Sequence, residues 1–353
     1  MMTETAIERQ LLLFGKELAP TNVTEEAELG NKDSDALVSS YIKEGFSAYD
    51  VPFIGCDFDV VYPLILLVIP QEKVTFLDFD SNTAIICEII SSAICHQINW
   101  DFLRESLRNY TANNKDWLSP QNLAAIKTDV VEKMLGQYHR RENVKADERA
   151  RMIRLLGVWA SEYKQIKDVF LEEDGELKPF QEIRTTMLKC PVFSSDPEEK
   201  KLNLLFQKLD VIPTLSGIGD YAKPAIDYHL LRLYLRRGLL YARTKYAYEF
   251  ISNPDIERKE WTVAGIREHA SALMSQISLY TGLTISAVNL IEWHVARSIC
   301  DREHPDCGLC REEAQWLRRG FNKCPFHNTC ASVNQPCNGM QFIKEPSYIG
   351  TSY

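Results

Sequence analysis

Six of the ten cysteines fall late in the chain: Cys300, Cys307, Cys310, Cys324, Cys330 and Cys337. Thiolates are soft ligands that suit iron–sulfur clusters or zinc. The spacing is Cys300-x6-Cys307-x2-Cys310, then thirteen residues, then Cys324-x5-Cys330. A Cys-x2-Cys pair lets two sulfurs from one tight turn reach one centre. Clustered cysteines in a reducing compartment point to metal rather than to a disulfide framework. Two centres stay open: a 4Fe-4S cluster, or a zinc site built from Cys307, Cys310, Cys324 and Cys330. Cys56, Cys87, Cys95 and Cys190 are scattered in apolar surroundings and read as buried free thiols.

A second group of residues lies upstream. A helix expected over 199–212 ends at Pro213 and is followed by Leu215-Ser216-Gly217-Ile218-Gly219. Glycines permit positive φ, and free N–H groups at a helix start can hold a phosphate. A plain turn between helices is the alternative. Asp227 follows Pro224 where a new helix should begin, so it reads first as an N-cap. His229 reads as a packed or hydrogen-bonded histidine. From Tyr228 to Ala247 there is no acidic residue, while Arg232, Arg236, Arg237, Arg243 and Lys245 are present. On an acidic protein that run is a candidate phosphate-facing surface, with solvated helix charge as the alternative. The aspartate pairs at 57/59 and 78/80 read as turn residues rather than metal ligands.

The elements that must position these residues are mostly helical. From about residue 82, apolar residues recur at helical spacing in successive segments punctuated by Pro, Gly, Asn and Asp. The run Val60 to Ile69 contains Pro63 and is too short to span a bilayer; it reads as a buried strand or core segment. Residues 17–37 are acidic and poor in apolar residues, and read as a solvated segment. Residues 50–80 suggest a small extended layer. With 353 residues the chain is expected to form two domains, and it needs no staples to fold. The net charge of −9, from 40 basic and 49 acidic residues, argues against coating nucleic acid through bulk charge. The first residues lack the basic and apolar regions of a signal peptide, so the expectation is a cytoplasmic protein without a membrane partner.

Taken in order, these segments resemble the helix-hairpin-helix DNA glycosylase superfamily, in particular its endonuclease III-like branch with an iron–sulfur loop. Ser92-Ala93-Ile94-Cys95-His96-Gln97 is similar to the family's helix leading to a glutamine that wedges into the duplex. Leu215 to Gly219 resembles its hairpin, and Ile226-Asp227-Tyr228-His229 its catalytic aspartate segment. Arg297-Ser298-Ile299-Cys300, continuing to Cys307 and Cys310, resembles the start of its four-cysteine loop. The resemblance covers about residues 82–330 and has no counterpart for residues 1–80.

There are departures. The family's fourth cysteine would fall at Trp316, and the final x5 spacing reappears only at Cys324 and Cys330. Cys300 and Cys307 are therefore the firmest ligands, and one of Cys310, Cys324 and Cys330 is surplus. Tyr221 stands where the family's lyase members carry a lysine, which implies a monofunctional hydrolase, although Lys223 lies two residues on. The connection from Gly219 to Asp227 is shorter than in the family.

The resemblance implies a mostly α, two-lobed helix-hairpin-helix glycosylase-like fold. It places an N-terminal extension, mixed or partly irregular, at 1–81, a helical domain ending in the hairpin at 82–226, a helical domain with the iron–sulfur loop at 227–340, and a tail at 341–353. It implies an N-glycosylase acting on a damaged or modified base in DNA, with Asp227 stabilising an oxocarbenium-like sugar. Gln97, Gly217, Gly219, Tyr221, Lys223 and Arg232 would contact DNA, and Trp100, Tyr221 and Tyr228 are aromatic candidates for a base pocket. The cluster would be structural. Two other readings remain: a hydrolase of a free modified nucleoside or nucleotide, since Asp227-Tyr228 also resembles a segment of queuosine-salvage glycosylases, and a non-catalytic nucleic-acid binding module.

Overall fold

The helical periodicity beyond residue 80 is realised almost throughout. A computed structural model describes residues 43–48, 58–70, 75–196, 198–244, 247, 251, 253, 258–334, 344–345 and 348–349. The acidic segment 17–37, Cys56, Asp57, Lys245 and Cys337 lie outside the described residues. In chain order the helices are α1 (Phe58–Val68), α2 (Ser81–Ala93), α3 (Trp100–Asn113), α4 (Pro120–Ala124), α5 (Thr128–Leu135), α6 (Ala146–Ala160), α7 (Phe180–Leu188), α8 (Pro191–Ser194), α9 (Lys200–Leu209), α10 (Tyr228–Arg237), α11 (Glu260–Thr281), α12 (Ile285–Ser298) and α13 (Ala331–Asn334). Short 3-10 turns link several of them. Strand β1 (Phe46–Ala48) pairs antiparallel with β2 (Leu240–Ala242), and β3 (Arg258–Lys259) pairs parallel with β4 (Tyr348–Ile349). Among the described residues no helix is long and apolar enough to cross a membrane.

The caps sit where short polar side chains precede apolar periodicity. Asp80 accepts from the Thr83 N–H at 3.0 Å at the start of α2, and Asn99 accepts from the Phe102 N–H at 3.1 Å at the start of α3. Asp78 pairs with Arg108. The described aspartates of the 78/80 pair are thus a cap and a surface ion pair.

Two compact units emerge, with boundaries different from those expected. One runs from Gln71 to Ala222; the other combines the segment up to Pro70 with Lys223 to Gly350. The described part of the expected extension is thus divided between the two units, and the unit that begins at Gln71 ends at Ala222 rather than at 226. The cause is burial: Phe58, Tyr62 and Ile65 of α1 enter the same core as α10, α11 and α12, and the Tyr62 hydroxyl donates to Glu292.

The run Val60 to Ile69 is also corrected, from strand or core segment to helix. Short apolar runs carry no periodicity that separates the two. In α1 one face is buried, at Phe58, Tyr62 and Ile65, while Val60 is 54% and Leu67 81% exposed. Residues 50–80 accordingly form no extended layer within their described part, which is α1 and turns.

Within the 71–222 unit, α2 is buried along most of its length, including Glu88, whose carboxylate takes both Nη groups of buried Arg104. Helices α4 and α6 cross at Gly157, where an added Cβ would lie 2.1 Å from the Ala124 backbone nitrogen. Main chain cannot yield as a flexible side chain can. Gly157→Ala is expected to lower stability by about 3 kcal/mol, read from the denaturant midpoint; an unchanged midpoint would show that the two helices part at little cost.

Candidate functional site

The late cysteines are positioned by the end of α12 and by a loop folded on itself. The Cys300 N–H still bonds to the Val295 carbonyl at 3.3 Å, so this thiol leaves the last helical turn. Asp301 holds the Glu303 and His304 N–H groups at 3.0 and 2.9 Å. Asp306 holds those of Cys310 and Arg311 at 2.8 and 2.7 Å. Leu309 adopts φ of 56° with its side chain fully buried. A branched residue tolerates that conformation only where packing enforces it. The thirteen-residue insertion forms a 3-10 stretch, Glu312–Arg319, whose Ala314 and Leu317 are buried. Trp316, at the position of the expected fourth cysteine, donates to the Ser298 hydroxyl at 3.2 Å. The chain then returns, and the Cys324 N–H bonds to the Cys307 carbonyl at 2.8 Å.

This path brings Cys300, Cys307, Cys324 and Cys330 onto one cavity, with apolar walls that include Leu233, Val295, Ile299 and Phe326. Cys310 is exposed, its Sγ directed to the Gly308 carbonyl at 3.7 Å, and it is not part of the lining. The cysteine that stands apart is therefore Cys310, and the zinc set that required it is not drawn together. Among the described residues, no three His, Cys, Asp or Glu side chains form a group that could hold a single metal ion.

Burial sets the electrostatics of three of these thiols. Desolvation, reinforced by neighbouring Cys330 and Cys300, pushes the Cys307 thiol up to about 11. Cys324 and Cys330 are also raised, chiefly by burial. Such thiols ionise only against positive charge. Two guanidinium groups line the cavity, Arg236 and Arg237, and Arg236 Nη1 donates to Cys300 Sγ at 3.4 Å. The buried Ser332 hydroxyl, also in the lining, has no hydrogen-bond partner. The cavity thus gathers four soft donors and two guanidinium groups.

Three arginines of the 228–247 run, Arg232, Arg236 and Arg237, belong to this assembly, which corrects their reading as a phosphate-facing surface; Arg243 is exposed and keeps it. Arg232, assigned to DNA, is buried: it donates to the Cys300 carbonyl and to Glu345, the latter at 2.6 Å, and it contacts His229 Nδ1 at 2.6 Å. Arg236 also donates to the Asp301 and Arg302 carbonyls. Arg237 reaches Glu292 at 3.3 Å and lies 3.8 Å from the Phe326 ring centroid. The loop leaves carbonyls pointing inward with no helix or sheet to satisfy them, and one face of α10 supplies the donors. Burial holds the Glu292 carboxyl above its ordinary range, although Tyr62, Tyr234 and Arg237 all donate to it.

Asp227 is the N-cap of α10. Its Oδ1 accepts from the Leu230 N–H at 3.0 Å, and only 7% of the residue is exposed. Burial and the neighbouring Asp227 charge raise the Tyr228 phenol. Asp227 lines neither the cysteine cavity nor the large cavity of the 71–222 unit. At 1.5 Å per residue, about 14 Å of helix separates it from Arg236. Arg232 and Arg236 thus join Cys300 to the helix that Asp227 caps.

The remaining predicted residues are spread among different surroundings. The hairpin glycines do not present free N–H groups: Gly217 and Gly219 both donate to Asp210 Oδ1, at 2.8 and 3.1 Å. A carboxylate of the chain occupies the position assigned to a phosphate, and an added Cβ at Gly219 would come within 2.8 Å of the Asp210 side chain. The second limb is a four-residue 3-10 turn, Ile218–Tyr221. Tyr221 is exposed and stacks on Phe180 at 4.7 Å; Lys223 is exposed. Trp100 lies between two cations, its ring 5.2 Å from Arg104 and 5.4 Å from Lys208. Gln97 adopts φ of 56° at the end of a loop gripped by Arg149, a residue that sequence reasoning passed over. Asp210, Arg149 and Ser332 have sequence surroundings that give no sign of their roles. The sequence matches no protein-family model and no curated protein.

Proposed function

We propose that this chain is an iron–sulfur N-glycosyl hydrolase. A 4Fe-4S cluster would be held by Cys300, Cys307, Cys324 and Cys330, and Asp227 would act on the glycosidic bond of a modified nucleobase, on a scaffold of the helix-hairpin-helix glycosylase kind. The observation that carries the reading is the convergence of those four thiols on one cavity flanked by two arginines. When bound, the cluster supplies iron–sulfur bonds that tie the C-terminal loop to α12. Arg232 and Arg236 pass that restraint to α10, whose first turn fixes Asp227. A carboxylate so fixed stabilises positive charge developing on the sugar without having to reorganise.

Two observations favour a free modified nucleoside or nucleotide over a duplex. Arg232, Arg236 and Arg237 are committed to the protein interior, and the hairpin N–H groups are committed to Asp210. The duplex reading keeps Gln97, Tyr221 and Lys223. A non-catalytic binding module would bind without releasing base.

The test begins with iron. Anaerobically purified protein is expected to carry about four irons per chain. Cys310→Ser should leave that content unchanged, whereas Cys324→Ser should lose most of it. Equal losses in the two variants, or stoichiometric zinc without iron, would overturn the ligand assignment. Base release is then measured from modified mononucleotides and from modified duplexes. Release from the mononucleotides alone supports the small-substrate reading, and release from duplexes alone sinks it. Release from neither excludes the hydrolase.

A further inference from the structure

The 71–222 unit contains a second cavity, of about 230 Å³, with no part in the reading above. It lies among α2, α4 and α6 and the turns at 115–118 and 163–166. Its wall is mixed: Ile89, Ile90, Leu123 and Leu156 are buried apolar lining residues beside Ala160 and Trp159, and polar residues complete the lining. Several polar lining groups are engaged within the protein. Thr83 Oγ1 donates to Asp80, Asn82 Oδ1 accepts from the Lys167 N–H, and the Ser119 hydroxyl accepts from the Asn122 N–H. Trp159 Nε1 donates to the Thr186 carbonyl. The charged lining residues are two exposed lysines, Lys115 and Lys164, and no lining residue is acidic.

We infer that this cavity binds a small organic monocarboxylate with an apolar body, seated on the isoleucine and leucine floor with its carboxylate toward Lys115 and Lys164. A cavity of roughly 150 Å³ accepts a benzene ring; this one has room for one ring or a short chain and its head group. A ligand with an apolar body matches the isoleucine and leucine side of the wall. Such a monocarboxylate carries no glycosidic bond, so it is not the substrate of the proposed hydrolase. In a protein with nine more acidic than basic residues, a lining with two cations and no carboxylate selects for an anion.

The test uses full-length protein with phenylacetate and hexanoate as probes, and their neutral amides as controls. Binding is followed by the isoleucine methyl NMR signals of Ile86, Ile89, Ile90 and Ile166 and by calorimetry. Each carboxylate is expected to bind about tenfold more tightly than its amide. The doubly substituted Lys115→Glu, Lys164→Glu protein should lose that preference while still taking the amide. Both lysines are exposed, so this variant keeps the fold. Ala160→Phe, which fills the cavity, should abolish binding of both, with retention of the far-ultraviolet spectrum checked in parallel. No binding at millimolar probe, methyl shifts elsewhere in the molecule, or a preference unchanged by the charge reversal would overturn the proposal.

Discussion

Asp227→Asn is expected to leave the protein as stable as the parent, within about 0.5 kcal/mol, while lowering base release by about 10²–10³-fold. The two effects separate because the observed cap and the proposed catalytic role have different chemical requirements. Capping needs an acceptor oxygen in reach of the Leu230 N–H, now 3.0 Å from Oδ1. An asparagine carbonyl supplies one, and asparagine caps helices about as well as aspartate. Stabilising a cationic sugar needs a full negative charge, which asparagine lacks. Asp227→Ala removes both and should cost about 1 kcal/mol of stability as well. Thermal unfolding and base release on the three proteins decide the matter. Base release persisting in Asp227→Asn would reduce the residue to a helix cap and end the catalytic assignment.

The helical plan could be read from the sequence because it rests on local spacing. Apolar residues at three- and four-residue intervals, with Asp80, Asn99 and Thr284 ahead of them, define helices whatever they later pack against. The grouping of the late cysteines was legible in part for the same reason: Cys300 and Cys307 carry a recognisable spacing. Choosing between Cys310 and Cys324 was not possible from spacing, because the choice depends on burial. The buried Leu309 and the Asp306 carboxylate turn Cys310 outward, while a backbone bond to Cys307 draws Cys324 in.

The arginines of α10 mark the limit more sharply. A run of cations without acids looks like a surface when its acceptors are unseen. The carbonyls that bind Arg236 come from residues 65 and 66 positions away, and Glu345, which binds Arg232, from 113 away. No window of sequence contains both partners. The same holds for Asp210, whose role as occupant of the hairpin depends on a turn geometry that two glycines permit but do not announce. The structure thus reassigns charge from recognition to internal support, and that reassignment moves the proposed substrate from a duplex toward a small molecule.

Internal support of this kind is most concentrated at Arg149, and its removal should have the largest effect on stability. The side chain is fully buried. Its Nε donates to the Ile94 carbonyl at 3.1 Å and its Nη1 to that of Asn143 at 2.7 Å. Further bonds go to the Val144 and His96 carbonyls. One planar fork therefore gathers the end of α2, the loop to Gln97 and the entry to α6. Each carbonyl left buried without a donor costs about 1–3 kcal/mol. Water can satisfy some of them, so Arg149→Ala is expected to lose about 3–5 kcal/mol. Arg149→Lys should recover little, since an ammonium group cannot span four acceptors with the geometry of a guanidinium. The lost support should also appear locally, as faster hydrogen exchange at the amides of residues 94–98, because Arg149 binds carbonyls of that loop on both sides of Cys95, beside Gln97 at positive φ. Denaturant midpoints and exchange rates for both variants test this. If lysine restored stability to within about 1 kcal/mol, the contribution would come from charge beside Glu148 rather than from the fork, and the loop at Gln97 would owe its shape to other contacts.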